Sequence, residues 1–324
     1  LAGTAHFPGL ASAAIQNPYV DIANLGVRVF FVISGFLITG LLMGENRKSG
    51  TISLRRFYLR RTLRIFPAYY AFIGAVAALA AMSVVHITVS DVAHALTYTM
   101  NYFPGRSWSV GHLWSLAVEE QFYLLWPLTV LLLGLRRAGT AALAVIVVVP
   151  FLRVAESMLM PEWRDMIGIT FDTTADALAI GCLLALKQEE LDAKPWFRRV
   201  VDSRWIIPTL FAVGLLVSVR YRPALLVGMP VVQVTIALAV ARCVRRPQGA
   251  FGRLLNHRLL VYIGTLSYSI YLWQQLFLDR YSSSAVTAFP LNLSLVLAAA
   301  MASYYIVERP FLRWRARIER RVLG

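Results

Sequence analysis

Apolar residues in this chain gather into long unbroken blocks, with polar residues in short stretches between them. The blocks run over 25–43, 67–85, 113–133, 139–158, 172–186, 205–219, 224–241, 259–279 and 288–307. Most approach the ~20 residues that a helix needs to cross a bilayer. They lack period-two alternation, so helices rather than a barrel are predicted. Residues 1–10 read as the outer half of one more helix, too short to span alone and without the charged start of a signal peptide. The pattern predicts an all-α, polytopic integral membrane protein of about ten transmembrane helices, the first truncated at its N-terminus. Segment 91–103 is short and carries Asp91, His94 and Asn101, so it is predicted to be a re-entrant or interfacial element. The whole of 1–324 reads as a single transmembrane domain.

Charge orients the spans. The chain is 58% hydrophobic and only 15% charged, with a mean hydropathy of +0.61, too little polar surface for a soluble globule. Its net charge of +15 would suggest nucleic acid in a soluble protein. Here the distribution of charge points elsewhere. Segments 44–66, 134–138, 187–204, 242–258 and the tail after 308 hold 25 of the 32 Lys and Arg residues, and the alternate loops hold five. Basic loops stay in the cytoplasm. Both termini are therefore expected to be cytoplasmic, in the cell inner (plasma) membrane, with membrane lipid and no nucleic acid as partner. Glu308-Arg309-Pro310 is expected to mark the cytoplasmic end of the last helix. Cys182 and Cys243 show no disulfide or metal spacing and are expected to pack.

Ionisable groups inside apolar helices are costly, so each is a candidate for function. His6 is a candidate general base, because its pKa lies near neutrality. Arg28 near the outer end of its block is either a headgroup anchor or a substrate contact. Ser34-Gly35 permits close packing or a kink, and Ser34 has no evident adjacent base. In SLRRFYLRRTLRIFPAYY, Arg56, Arg60 and Arg64 recur every four residues, and Arg61 and Arg64 are three apart. Such a helix presents guanidinium groups to phosphates, or it anchors in lipid headgroups. Glu119 and Glu120 lie ~10 Å into a span, about 100° apart around it. Ser115, Glu119, Phe122 and Trp126 share a face. Glu119 could orient a base or could form a structural pair with another helix. His112 and Trp114 are candidates to line the outer mouth. Asp172 reads as a helix-start residue. Asp176, deeper, is a substrate-binding candidate that could meet a buried Arg. Tyr268, Ser269 and Tyr271 read as packing residues.

The stretches TAHF, GVRVFFVISGFLITG, FYLRRTLRIFPAYY, HLWSLAVEEQFYLLWP, DALAIGCLLA, LSYSIYLW and YYIVERPF together resemble acyltransferase family 3. These are membrane O-acyltransferases of bacterial surface polysaccharides and related acceptors. The resemblance covers nearly the whole chain in the family's order. It implies a ten-helix acyltransferase that uses acetyl-CoA or another acyl-CoA as donor, with no metal. It also implies a glycan, glycolipid or secondary-metabolite acceptor. It places the family's proposed base on His6, the Arg-x-x-Arg donor motif on Arg61 and Arg64 with Arg60 beside them, the carboxylate on Glu119 and its preceding Trp on Trp114. GVR at Arg28 departs from the GVD of many relatives. No fused SGNH-type hydrolase domain is expected. The same buried polar residues would also serve a transporter or flippase of an acylated glycan or lipid, or an enzyme that holds the acyl group covalently on Ser34 or His6.

Overall fold

The computed structural model describes residues 22–218, 221–279, 282 and 284–323. His6 lies outside them. The described residues are helical and contain no strand, as the pattern predicts. Six helices among them are long and apolar enough to cross a membrane, or seven if the bent pair Pro195–Asp202 and Ile206–Val217 is one span. Large side chains such as Leu132 (72%) and Leu216 (71%) stand exposed, which suits a bilayer as solvent and not water.

The described residues form two compact units. The first comprises 22–52 and 115–253. It is built from α1 (Ile22–Ser49), α5 (Trp114–Leu159) beyond its first residue, α6 (Phe171–Ala193), α7 (Pro195–Asp202), α8 (Ile206–Val217), the single turn α9 (Tyr221–Pro223) and α10 (Met229–Arg245). The second comprises 53–114 and 254–323. It holds α2 (Leu54–Ala81), α3 (Val89–Leu96), α4 (Trp108–Gly111), α12 (Arg258–Phe277), α13 (Leu291–Ser303) and α14 (Arg309–Leu323). The short α11 (Ala250–Leu255) joins the two chain segments.

At 46 residues α5 would be ~70 Å long, more than twice the hydrocarbon thickness. Gly134 breaks it with a positive φ of 74°, leaving 114–133 and 135–159 as two stretches of spanning length. This is the turn that the basic stretch 134–138 marks in the sequence. Segment 91–103 does not span. It forms the short α3 and one tight turn, Met100–Tyr102. The tail differs from expectation. Helix does not end at Glu308-Arg309-Pro310: a π turn, Tyr304–Glu308, carries α13 into α14. Pro310 lies inside this continuous helix, directly after the π turn.

In the first unit, α1 and α6 pack most extensively, and α10 packs on α6, α8 and α1. The α1–α6 contact is backbone to backbone. A Cβ on Gly35 would stand 2.0 Å from the Leu178 carbonyl oxygen, and one on Gly181 would stand 2.1 Å from the Val32 carbonyl oxygen. Small residues permit such approach where no hydrophobic drive joins helices within lipid. In the second unit α2 packs with α3, α12 and α14. Tyr69 stacks on Tyr98 at 4.3 Å between centroids and donates its hydroxyl to the Ala95 carbonyl at 2.8 Å.

Asp91 holds the loop after α3. It is fully buried, and its carboxylate accepts from the backbone N–H and hydroxyl of both Thr88 and Ser107 at 2.6–2.8 Å. Burial pushes this carboxyl up, but the hydrogen bonds from Ser107 and Thr88 together outweigh it and hold the carboxyl below the usual aspartate range.

Two outcomes are expected. Gly181→Ala should cost about 3 kcal/mol, because backbone must move. Gly40→Ala on α1, with nothing within 4 Å, should be neutral or slightly stabilising. Thermal unfolding in detergent checks both. Asp91 stabilises its loop fully above the ordinary aspartate range and loses that contribution as pH falls through its lowered native pKa. Hydrogen exchange across 88–107 should therefore accelerate in acid in the native protein, and Asp91→Asn should remove that dependence.

Candidate active site

Each unit carries one set of the candidate residues. In the first unit, the face expected from the sequence is confirmed: Ser115, Glu119, Phe122 and Trp126 of α5 are all buried. Glu119, 4% exposed, accepts hydrogen bonds on Oε1 from the hydroxyls of Ser34 on α1 and Tyr123 on α5. The two hydroxyl oxygens lie 3.0 Å apart. A few residues further along, Trp126 donates its indole N–H to Thr39 of α1 at 2.9 Å, and Phe122 stacks on Trp126. The α1–α6 glycine contact holds α1 in place, and these bonds tie α5 to it. Ser34 therefore has a carboxylate beside it, which the sequence alone did not reveal. Tyr123 was missed altogether. Its signal was a hydroxyl four residues after Glu119, on the same helical face.

A second buried group lies in the same unit. Arg153 of α5 is fully buried. Its Nη2 pairs with Asp176 of α6, its Nε donates to the Thr173 carbonyl at 2.7 Å, and Nη1 reaches the Leu225 carbonyl at 3.5 Å. Gln233 of α10 donates from Nε2 to Asp176 Oδ1 at 3.2 Å, and the Ala177 N–H adds a bond at 3.0 Å. Asp176 thus meets a buried Arg, as its depth suggested. Gln233 was missed, although an amide inside an apolar block carries the same kind of signal. Leu225 belongs to a π turn, Ala224–Gly228. Arg28 is half-buried, with Nη2 3.5 Å from Met229 Sδ. Asp172 lies in the first turn of α6. Cys182 and Cys243 are free thiols.

In the second unit Ser53 caps α2. Phe57, Arg61, Ala68 and Tyr69 fall on one face by their four- and seven-residue spacing. Phe57, Ala68 and Tyr69 are buried; Arg61 is half-buried, with its guanidinium over the Phe57 ring at 5.8 Å. Arg64 is exposed and Arg60 is half-buried. His112 is buried, its Nε2 3.1 Å from the Leu272 carbonyl and its ring edge-on to Phe72 and Tyr271. Tyr271 donates to the His112 carbonyl at 2.7 Å. Trp114 opens α5, half-buried. The residues read as packing do more than pack: Tyr268 donates to the Ile65 carbonyl at 2.9 Å, and Ser269 donates to Glu308.

Removing one partner of a buried pair leaves the other charge unpaired, at about 3–5 kcal/mol. Asp176→Ala should cost that much in thermal unfolding. Arg153→Met with Asp176→Leu, which removes both charges, should cost much less.

The sequence profile of the acyltransferase domain family matches residues 3–309. The chain is 30% identical to "Putative peptidoglycan O-acetyltransferase YrhL" of Bacillus subtilis, over 88% of this chain and 50% of that protein. It is 28% identical to "Putative O-acetyltransferase SAR0937" of Staphylococcus aureus, over 95% of this chain and 57% of that protein. It is 27% identical to "Peptidoglycan O-acetyltransferase OatA" of Listeria monocytogenes, over 77% and 44%. The chain spans about half the length of these curated relatives. No solved structure matches it.

Proposed function

Because the chain belongs to the acyltransferase domain family, we propose that it is a membrane O-acyltransferase moving an acetyl group from acetyl-CoA to a hydroxyl of a glycan or glycan-like acceptor. The names of its relatives support O-acetyl transfer and, for two of the three, a peptidoglycan acceptor. The observation that supports the reading most is Glu119, a carboxylate buried inside an apolar span and held by two hydroxyls.

The roles follow from the residues. Arg61 and Arg64, with Arg60 beside them, hold the donor's phosphates. His6 takes the proton of the acceptor hydroxyl. The hydroxyl oxygen bonds to the thioester carbonyl carbon, the C–S bond breaks, and the CoA thiolate leaves and is protonated. A buried carboxylate, Glu119 or another, tunes the base. Arg28, Trp114 and Asp176 serve the acceptor, while His112, enclosed by aromatic rings, shapes its end of the unit. The bond between Ser34 and Glu119 favours one second reading. In it the Ser34 oxygen bonds to the thioester carbonyl carbon as Glu119 takes its proton, the C–S bond breaks and CoA leaves as the thiol; the acceptor hydroxyl then attacks the acyl-serine, the ester C–O bond breaks, and Ser34 is reprotonated as the acceptor loses its proton.

Acetyl-CoA binding and turnover by purified protein in detergent tests the proposal. Arg61→Ala with Arg64→Ala should weaken binding at least about tenfold, and His6→Ala should bind normally but turn over about 10²–10⁴-fold more slowly. Wild type that neither binds nor hydrolyses acetyl-CoA would overturn the donor. An acetyl group found on Ser34 by mass spectrometry of quenched protein would establish the second reading.

A further inference from the structure

The donor motif lies on α2, and α2 is not the only arginine-rich helix in its unit. α14 packs against it, as does the π turn Tyr304–Glu308. α14 reads RPFLRWRARIERRVL. The arginines of α2 cluster at its start and those of α14 follow the last apolar stretch. The charge pattern puts both clusters on the same side of the membrane.

Two acidic groups lie among these arginines, and each is engaged. Glu319 pairs with Arg315 at 3.5 Å. Glu308 is buried, receives the Ser269 hydroxyl, and lies within the field of the Arg64 guanidinium. The start of α14 is thereby placed at the level of the donor motif. Arg309 and Arg313 are exposed, and among the described residues neither forms an ion pair. The Arg309 guanidinium lies over the Tyr305 ring at 5.5 Å. The two are four residues apart, on neighbouring turns of one face.

Such a doubled cationic surface exceeds what one phosphate needs. A CoA thioester carries two separate anionic groups, a diphosphate and a ribose phosphate, whereas a phosphopantetheine thioester carries one phosphate. We propose that Arg309 and Arg313 of α14 form the second wall of the donor site, facing the Arg61/Arg64 motif, and select a donor with two separated phosphate groups. This rests on the acyl-CoA reading above.

The test titrates acetyl-CoA and acetyl-4′-phosphopantetheine into purified protein in detergent. The variants are Arg309→Gln/Arg313→Gln, the charge-keeping Arg309→Lys/Arg313→Lys, and Arg198→Gln/Arg199→Gln on α7 as an equal loss of charge elsewhere. The Gln pair should weaken acetyl-CoA at least tenfold and the one-phosphate donor less than threefold. The Lys pair should stay within a fewfold of wild type, and the α7 pair within twofold. Equal weakening by the α14 and α7 pairs would reduce the effect to general charge and overturn the proposal. So would unchanged acetyl-CoA affinity with a melting temperature that loses its dependence on phosphatidylglycerol, which would make α14 a lipid anchor. Wild type that binds no acetyl-CoA would instead remove the donor reading itself. If wild type binds, Arg61→Ala/Arg64→Ala weakens binding and the α14 Gln pair does not, this inference alone fails.

Discussion

Backbone contact between α1 and α6 governs the polar chemistry of the first unit. Leu178 and Val32 carbonyls occupy the space where Cβ atoms of Gly35 and Gly181 would be. Helices in lipid gain little from burying apolar surface against each other, so close van der Waals fit has to hold them. Ser34 is the neighbour of Gly35, and Asp176 lies five residues before Gly181. The glycines that bring the helices together therefore also set where the hydroxyl and the carboxylate stand. Neither position could shift without moving backbone.

The polar groups then tie the remaining helices to this pair. Glu119 and Tyr123 join α5 to α1 through Ser34, and Trp126 joins them again through Thr39. Arg153 and Gln233 join α5 and α10 to α6 through Asp176. A buried ion pair adds little net stability, because desolvation offsets most of its attraction. What it does supply here is register: Arg153 also bonds the Thr173 and Leu225 carbonyls, so its position is fixed from three sides.

Much of this was legible before any coordinates. Block length and loop charge predict the helices, the break near Gly134 and the short 91–103 element, because each rests on bilayer thickness or on the cost of polar groups in lipid. The shared face of Glu119, Phe122 and Trp126 follows from helical spacing alone. What could not be read was pairing across helices. Ser34 shows no base in its own stretch, since Glu119 is 85 residues away in sequence. Gln233 and Asp176 are likewise distant in the chain. The π turns at 224–228 and 304–308 were hidden too, since a one-residue widening leaves the apolar pattern intact. That is why ERP looked like a stop when the helix in fact continues.

The Ser34–Glu119–Tyr123 cluster can be narrowed further by counting protons. Each hydroxyl has one proton to donate, and both donate to the same carboxylate oxygen. If Ser34 only positions Glu119, its proton stays where it is throughout the reaction, and replacement by another small donor such as Thr should preserve the bond. If Ser34 attacks, its proton passes to Glu119, and Tyr123 must go on donating to an oxygen whose charge has just been neutralised. That bond is then weakest when the acyl-serine forms and strongest when Glu119 is an anion again. Tyr123 would therefore favour the return of the proton and hence deacylation. Its loss would slow the second half of a covalent cycle more than the first, whereas direct transfer has a single step to slow.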